Sequence, residues 1–266
     1  MSRSPAALPR RRARVSAALL GALALTAAVS TAVPAASAAA ADDPAGPRAA
    51  TRVMPLGDSI TGSPGCWRAL LWDALQRSGR TEVDFVGTLP PQGCGIPHDG
   101  DNEGHGGARV TDVAAQGHLV GWLSASDPDV VLMHFGTNDV WSQIPTATIL
   151  DAYSTLVAQM RAHDPGIRVL VAQIIPMDPA RSCAACGRGV ADLNAAIPAW
   201  AAAQSTERSP VVVVDQWTGF DTAVHTYDGV HPNSEGDRRI ADRWLPPLTS
   251  VLGTGGPGAA ATADSR

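Results

Sequence analysis

Apolar strand-like runs and helical faces take turns along this chain about five times, and that alternation restricts the fold more than any other feature. Residues 52–56 predict a short strand, and Trp67, Leu70, Leu71, Ala74 and Leu75 recur at three- and four-residue spacing to make one helical face. Residues 83–86 predict the second strand. A long stretch rich in Gly and Pro, 87–107, follows as a loop, and loops of that length inside a domain usually carry a site. Val110, Val113, Ala114, Leu119 and Trp122 predict one helix with Gly117 inside it. Residues 129–135 are almost continuously apolar, as a strand buried on both faces is. A helix over 149–162, a strand over 167–175, a helix over 190–203, a strand over 211–215 and a helix over 234–244 complete the series. The expected architecture is α/β: a three-layer α/β/α sandwich around a central, mostly parallel five-stranded sheet.

In such a sheet the carboxyl ends of the strands share one edge, and ligands bind there. Four polar clusters fall at that edge. Gly57-Asp58-Ser59 follows the first strand, the glycine-rich loop the second, Gly136-Thr137-Asn138-Asp139 the third, and Asp228-Gly229-Val230-His231 lies beyond the last. Ser59 is a candidate nucleophile, although a serine just past a strand also caps a helix or closes a turn. It lacks the G-x-S-x-G elbow. His231 is a candidate base: Asp228, three residues earlier, can reach one ring nitrogen through a compact turn and leave the other for the serine. The alternative is a surface turn with a solvent-facing histidine. Gly107 and Asn138 are candidate donors to an oxyanion, one through its backbone N–H and one through its side-chain amide, or else a bend and a cap. Asp139 and Thr137 brace their loop, His134 reads as core or rim support, and His105 as a residue shaping the pocket.

The ends of the chain read differently. Residues 1–38 carry Arg3, Arg10, Arg11, Arg12 and Arg14, then an apolar stretch, then Ala36-Ser37-Ala38, the pattern of a secretory signal peptide; a retained membrane anchor and a twin-arginine route are the alternatives. Residues 39–50 form a connector, 51–250 the single domain, and 251–266 a Gly/Ala-rich tail. Secretion to the extracellular space is therefore expected, with no stable membrane insertion after cleavage. All 20 basic residues are Arg, and removing the first 38 residues leaves 15 against 25 acids, a formal charge of -10. That disfavours nucleic acid and other polyanions as partners and suits a neutral polysaccharide or small ester. A monomer is expected.

Export permits disulfides among Cys66, Cys94, Cys183 and Cys186, which allow three pairings. Cys183-Ala-Ala-Cys186 could be a redox pair or half a zinc site. It lacks a second thiol pair and a strand-to-helix setting, so local loop closure is preferred, with Cys66 bridged to Cys94. Asp99, Asp101 and Glu103 have an oxygen-rich spacing but not the length of a calcium-binding hand loop. No metal or cofactor is expected.

GDS at 57–59, glycine at 107, GTND at 136–139 and DGVHP at 228–232, in this order, resemble the blocks of the SGNH/GDSL hydrolase superfamily over residues 52–246. The resemblance implies a flavodoxin-like fold with Ser59 as nucleophile, His231 as base and Asp228 as its orienting acid. It also implies an oxyanion hole from the N–H groups of Ser59 and Gly107 and the side chain of Asn138. MPLGDSITGSPGCWRALLW, VDFVGTL and EGHGG are similar to the acetylxylan esterases of carbohydrate esterase family 3, except that Gly106 stands where a serine is more usual. The expected function is hydrolysis of carboxylic esters on an acetylated polysaccharide. A secreted lipase or phospholipase is the alternative, and a glycan-binding domain using Trp67, Trp72, Trp141 and Trp217 is a further one.

Overall fold

A computed structural model describes residues 50–253. The expected signal peptide, the connector up to residue 49 and the tail beyond 253 lie outside the described residues. Six strands form one sheet: β1 (Thr51–Gly57), β2 (Val83–Phe85), β3 (Glu103–Gly104), β4 (Val130–His134), β5 (Arg168–Gln173) and β6 (Val211–Asp215). Their order is β2-β1-β4-β5-β6, with β3 also paired to β1, and every pairing is parallel.

Alternate residues of the central strands feed two separate cores, as a pleated strand requires. Met54, Leu56, Val131, Met133, Val169 and Val171 face one side. There they meet α3 (Val110–Gln116), α4 (His118–Ser126), α6 (Thr146–His163) and α7 (Cys186–Gln204). Val53, Val130, Leu132, Leu170 and Ala172 face the other and meet α2 (Trp67–Arg77) and α9 (Ser234–Val251). The three remaining helices are short: α1 (Ser59–Gly62), α5 (Thr137–Trp141) and α8 (Thr222–His225). Each of the three begins in a loop that follows a strand on the rim edge.

The layers match the sequence reading, with three local differences. The 87–107 stretch contains β3. Because β2 pairs only with Thr51 to Val53, the far end of β1 would keep unpaired backbone groups, and Glu103 and Gly104 fill that gap opposite Leu56 and Gly57. The helix expected through Gly117 is two helices, since Gly117 takes a left-handed φ of 68° and ends α3. The last helix continues past 244 to Val251 through Pro246 and Pro247, and its far turn buries Leu248 in the α2/α9 core.

Candidate active site

β1 delivers the chain to the rim at Gly57. Asp58 then caps α1, its Oδ1 accepting the Ile60 N–H at 3.0 Å. Ser59 is the first residue of that helix, so its own N–H has no intrahelical acceptor and is left available at the rim. Asp58 is fully buried, and burial pushes its carboxyl up to about 7 despite the Ile60 amide; the neighbouring charge of Asp139 adds to the rise.

His231 reaches Ser59 from the loop between α8 and α9. Its Nε2 lies 3.0 Å from Ser59 Oγ, and its Nδ1 lies 2.6 Å from Asp228 Oδ2. The other carboxylate oxygen of Asp228 accepts the backbone N–H groups of Val230 at 2.9 Å and His231 at 2.7 Å, the compact turn that the three-residue spacing requires. Burial tends to raise the Asp228 carboxyl, but hydrogen bonds from the His231 ring and these two amides outweigh it and hold the group below its ordinary value. An ionised carboxylate only accepts, so Nδ1 carries the proton and Nε2 of the neutral ring is the acceptor facing Ser59. Gly229 takes φ 95°, and a Cβ there would fall 2.9 Å from that of Asp178. Glycine at this position therefore lets the loop close against its neighbour.

Gly107 and Asn138 line the same cavity of about 560 Å³ as Ser59, Asp228 and His231. Gly107, at φ 76°, is the third residue of a turn closed by the Ala108 N–H donating to the His105 carbonyl at 3.1 Å. Asn138 donates one side-chain N–H to the Ala108 carbonyl at 3.0 Å, which fixes the amide and leaves its second N–H free for a ligand. The buried Asp139 carboxylate accepts the N–H of Val110 at 2.8 Å and the N–H and hydroxyl of Thr111 at 3.1 and 2.7 Å, tying α5 to the start of α3. Ser59, Gly107 and Asn138, each carrying N–H donors, therefore line one cavity together with the base that faces the Ser59 hydroxyl. Such an arrangement can activate the hydroxyl and hold the oxyanion that its attack on an ester creates.

Of the other residues singled out in the sequence, His134 stands at the end of β4, away from the cavity lining. It is buried, its ring is held neutral by a value lowered to about 4, and its Nε2 accepts the Ile175 N–H at 3.4 Å. His105 pairs with the buried Glu103 at 2.6 Å and stacks on Trp122 at 4.2 Å, behind the Gly107 turn. Both cysteine pairs, Cys66–Cys94 and Cys183–Cys186, are bridged. Two of the three carboxylates of the oxygen-rich stretch are engaged internally, Asp99 with the Phe85 N–H and Glu103 with Thr88. Among the described residues no group of three or more His, Cys, Asp or Glu is arranged to hold a metal ion, and no helix is long and apolar enough to cross a membrane.

Sequence reasoning missed Arg181 and Ser182, which line the cavity from the loop between β5 and α7. Nothing local marks them. Trp141, also on the lining, carried a signal: it follows Asn138 by three residues and so shares its helical face.

A profile of the GDSL-like lipase/acylhydrolase family matches residues 56–239, which span all four blocks. The chain belongs to this family. Membership sets the GDSL-family chain among serine-type ester hydrolases. A crystal structure of an acetyl esterase with a serine-to-alanine substitution, with acetate ion, is 36% identical and superposes with a TM-score of 0.68 over 76% of this chain and 98% of that one. A carbohydrate esterase family 3 structure from Talaromyces cellulolyticus gives the same 36% identity, TM-score of 0.68 and coverage of 76% and 98%. A family 3 carbohydrate esterase of Clostridium thermocellum is 27% identical at a TM-score of 0.63, over 73% and 93% of the two chains. A curated relative, a multidomain esterase of Ruminococcus flavefaciens, is 27% identical over 76% of this GDSL-family chain but only 29% of its own length. The GDSL-family chain thus spans under a third of that relative. The similarity to family 3 carbohydrate esterases read from the sequence holds at the level of the whole domain.

Proposed function

We propose that the protein is a secreted serine esterase that removes acetyl groups from xylan or a related carbohydrate through an acyl-enzyme. The observation that carries the reading is the continuous array from Ser59 Oγ through His231 to Asp228, at 3.0 and 2.6 Å, opening on a cavity lined by Gly107 and Asn138. In the first half-reaction His231 Nε2 takes the Ser59 proton as Oγ attacks the ester carbonyl. Asp228 keeps the ring in the required tautomer and offsets the charge of the imidazolium. The carbonyl oxygen becomes an oxyanion facing the N–H groups of Ser59 and Gly107 and the Asn138 amide. The imidazolium then protonates the departing sugar oxygen, and water repeats the sequence to release acetate.

The acetyl-carbohydrate part is supported by the likeness to an acetyl esterase and to family 3 carbohydrate esterases. Secretion is supported by the pattern of residues 1–38. The decisive experiment combines three measurements: hydrolysis of a chromogenic acetate, an acyl chain-length series, and acetate release from acetylated xylan. The reading predicts activity that falls steeply beyond the acetyl group and disappears in Ser59→Ala. Activity surviving in Ser59→Ala would remove the serine mechanism, whereas a preference for long acyl chains would transfer the protein to the lipases.

A further inference from the structure

Aromatic rings in this protein are almost all spent on packing. Among its seven tryptophans, Trp67 and Trp244 are buried, and Trp72, Trp122, Trp200 and Trp217 are partly buried against the two cores. Trp141 is the exception: 45% of it is exposed. No aromatic partner covers it, and its indole N–H donates no hydrogen bond among the described residues. It is also not scattered at random over the surface. It closes the last turn of α5, on the helical face of Asn138, and lines the cavity that holds Ser59 and His231.

A second exposed ring borders the site, but it is already engaged. Tyr227 is 57% exposed and lays one face parallel to the His231 imidazole, with centroids 5.8 Å apart and planes 15° apart. Trp141 is therefore the ring with a face to offer. Beside it the side chains of Thr137, Asn138, Arg181 and Ser182 bring hydrogen-bonding groups to the lining along with the catalytic candidates, and Val230 supplies the one aliphatic side chain. Arg181 is exposed and is steadied by donating to the Tyr227 carbonyl at 2.8 Å. A pyranose has a C–H face and a rim of hydroxyls, and a flat amphipathic ring beside a guanidinium and a hydroxyl matches both.

We infer that Trp141 is the stacking platform of a sugar subsite, holding the C–H face of the pyranose that carries the ester while Arg181 and Ser182 meet its hydroxyls. This deepens the esterase reading and rests on it. The test compares kcat/KM on an acetylated xylo-oligosaccharide, on methyl acetate, whose leaving group has no ring, and on methyl hexanoate. Trp141→Ala is expected to lose about tenfold more on the oligosaccharide than on methyl acetate, the size of one good aromatic contact, and Trp141→Phe to recover most of that difference. Because the ring is exposed, the melting temperature of Trp141→Ala should stay close to that of the parent. Equal losses on the oligosaccharide and methyl acetate overturn the subsite, since the ring would then only support the site. A loss on methyl hexanoate as large as on the oligosaccharide also overturns it, because the ring would then serve the acyl chain. Ser59→Ala separates the two levels: residual hydrolysis there defeats the esterase reading itself, whereas the Trp141 outcomes bear on the sugar subsite alone.

Discussion

The two walls of the cleft are held in opposite ways. On the nucleophile wall, Gly62 of α1 presses against Gly104 of β3 so closely that a Cβ at Gly62 would lie 2.0 Å from the Gly104 carbonyl oxygen. Beneath it the fully buried Arg68 guanidinium donates to the carbonyls of Thr61 at 2.8 Å, Pro64 at 2.9 Å and Gly100. Burial lowers that guanidinium to about 10, so it stays charged at neutral pH, with Asp101 and Asp237 nearby to favour the charge. On the base wall, the side chains of His231 and Asp228 are 29% and 40% exposed. Their loop is held by another loop: the Asp178 N–H donates to the Gly229 carbonyl at 2.8 Å, and Arg181 reaches the Tyr227 carbonyl. The nucleophile inherits its position from the core, and the base owes its position to contacts at the surface. Breaking the base wall should therefore cost chemistry, and breaking the nucleophile wall should cost the fold.

His231→Ala gives the largest expected effect. Loss of the proton acceptor should lower kcat/KM by on the order of 10³-fold or more, equivalent to about 4 kcal/mol of transition-state stabilisation. Its melting temperature should stay within about 2 °C of the parent, since no core contact is removed. A variant that is inactive because it has lost cooperative unfolding, seen by scanning calorimetry, would erase the distinction between the walls.

Next comes the bridge on the nucleophile wall. Cys66–Cys94 spans 28 positions of the chain, and removing it as Cys66→Ser with Cys94→Ser releases a long loop in the unfolded state. The expected cost is about 3–4 kcal/mol of stability. A denaturant midpoint unchanged from the parent would mean that Arg68 and the Gly62–Gly104 contact hold this wall without the bridge.

Much of this division could be foreseen, and the part that could not has a common cause. The alternation of apolar runs such as 129–135 with helical faces predicted the parallel sheet, because a strand buried on both faces leaves a continuous apolar record. The order of the four blocks identified the residues that now meet at the rim, Ser59, Gly107, Asn138, Asp228 and His231. Two-residue β3 leaves no such record, since it exists only because β1 has an unpaired end beside it. Nothing local marks Arg68, because its three carbonyl acceptors lie in other segments. Trp141 was one of four tryptophans offered for glycan stacking, for the sequence shows an aromatic ring but not whether a neighbour covers it. Local pattern reveals what a segment buries, and it says little about partners that are distant in the chain.

Asp58→Asn sharpens the comparison through pH. Asp58 is held at about 7 in the folded protein, above its ordinary value of 3.8, so between roughly pH 4 and 7 the folded chain binds the extra proton and stability falls as pH rises. Asparagine keeps an acceptor for the Ile60 amide and cannot ionise. The variant should therefore gain stability relative to the parent progressively as pH rises across that window, and the gain should level off above it. Asp237, pushed up to about 6 by burial, drifts in the same direction but is present in both proteins and cancels. Parallel stability curves from pH 4 to 8 would show that the buried carboxyl does not burden the nucleophile wall.

The smallest effect belongs to the bridge on the base wall, where Cys183–Cys186 closes a separation of only 3 residues. A loop that short takes little freedom from the unfolded chain, so Cys183→Ser with Cys186→Ser should cost about 1–2 kcal/mol, clearly less than the long bridge. The turn it closes also retains its own hydrogen bond, the Cys186 N–H donating to the Cys183 carbonyl at 3.1 Å, and the turn before it keeps the Ser182 N–H and hydroxyl donating to the Asp178 carbonyl at 3.0 and 2.6 Å. Asp178 in turn holds Gly229, so what the bridge adds is stiffness behind His231 rather than its position. A drop in kcat of less than about fivefold with a melting temperature lowered by only a few degrees fits that role. A loss as deep as that of His231→Ala would mean the base is placed by the bridge, and a loss of folding as large as that of the Cys66 and Cys94 replacements would mean both walls are anchored in the core.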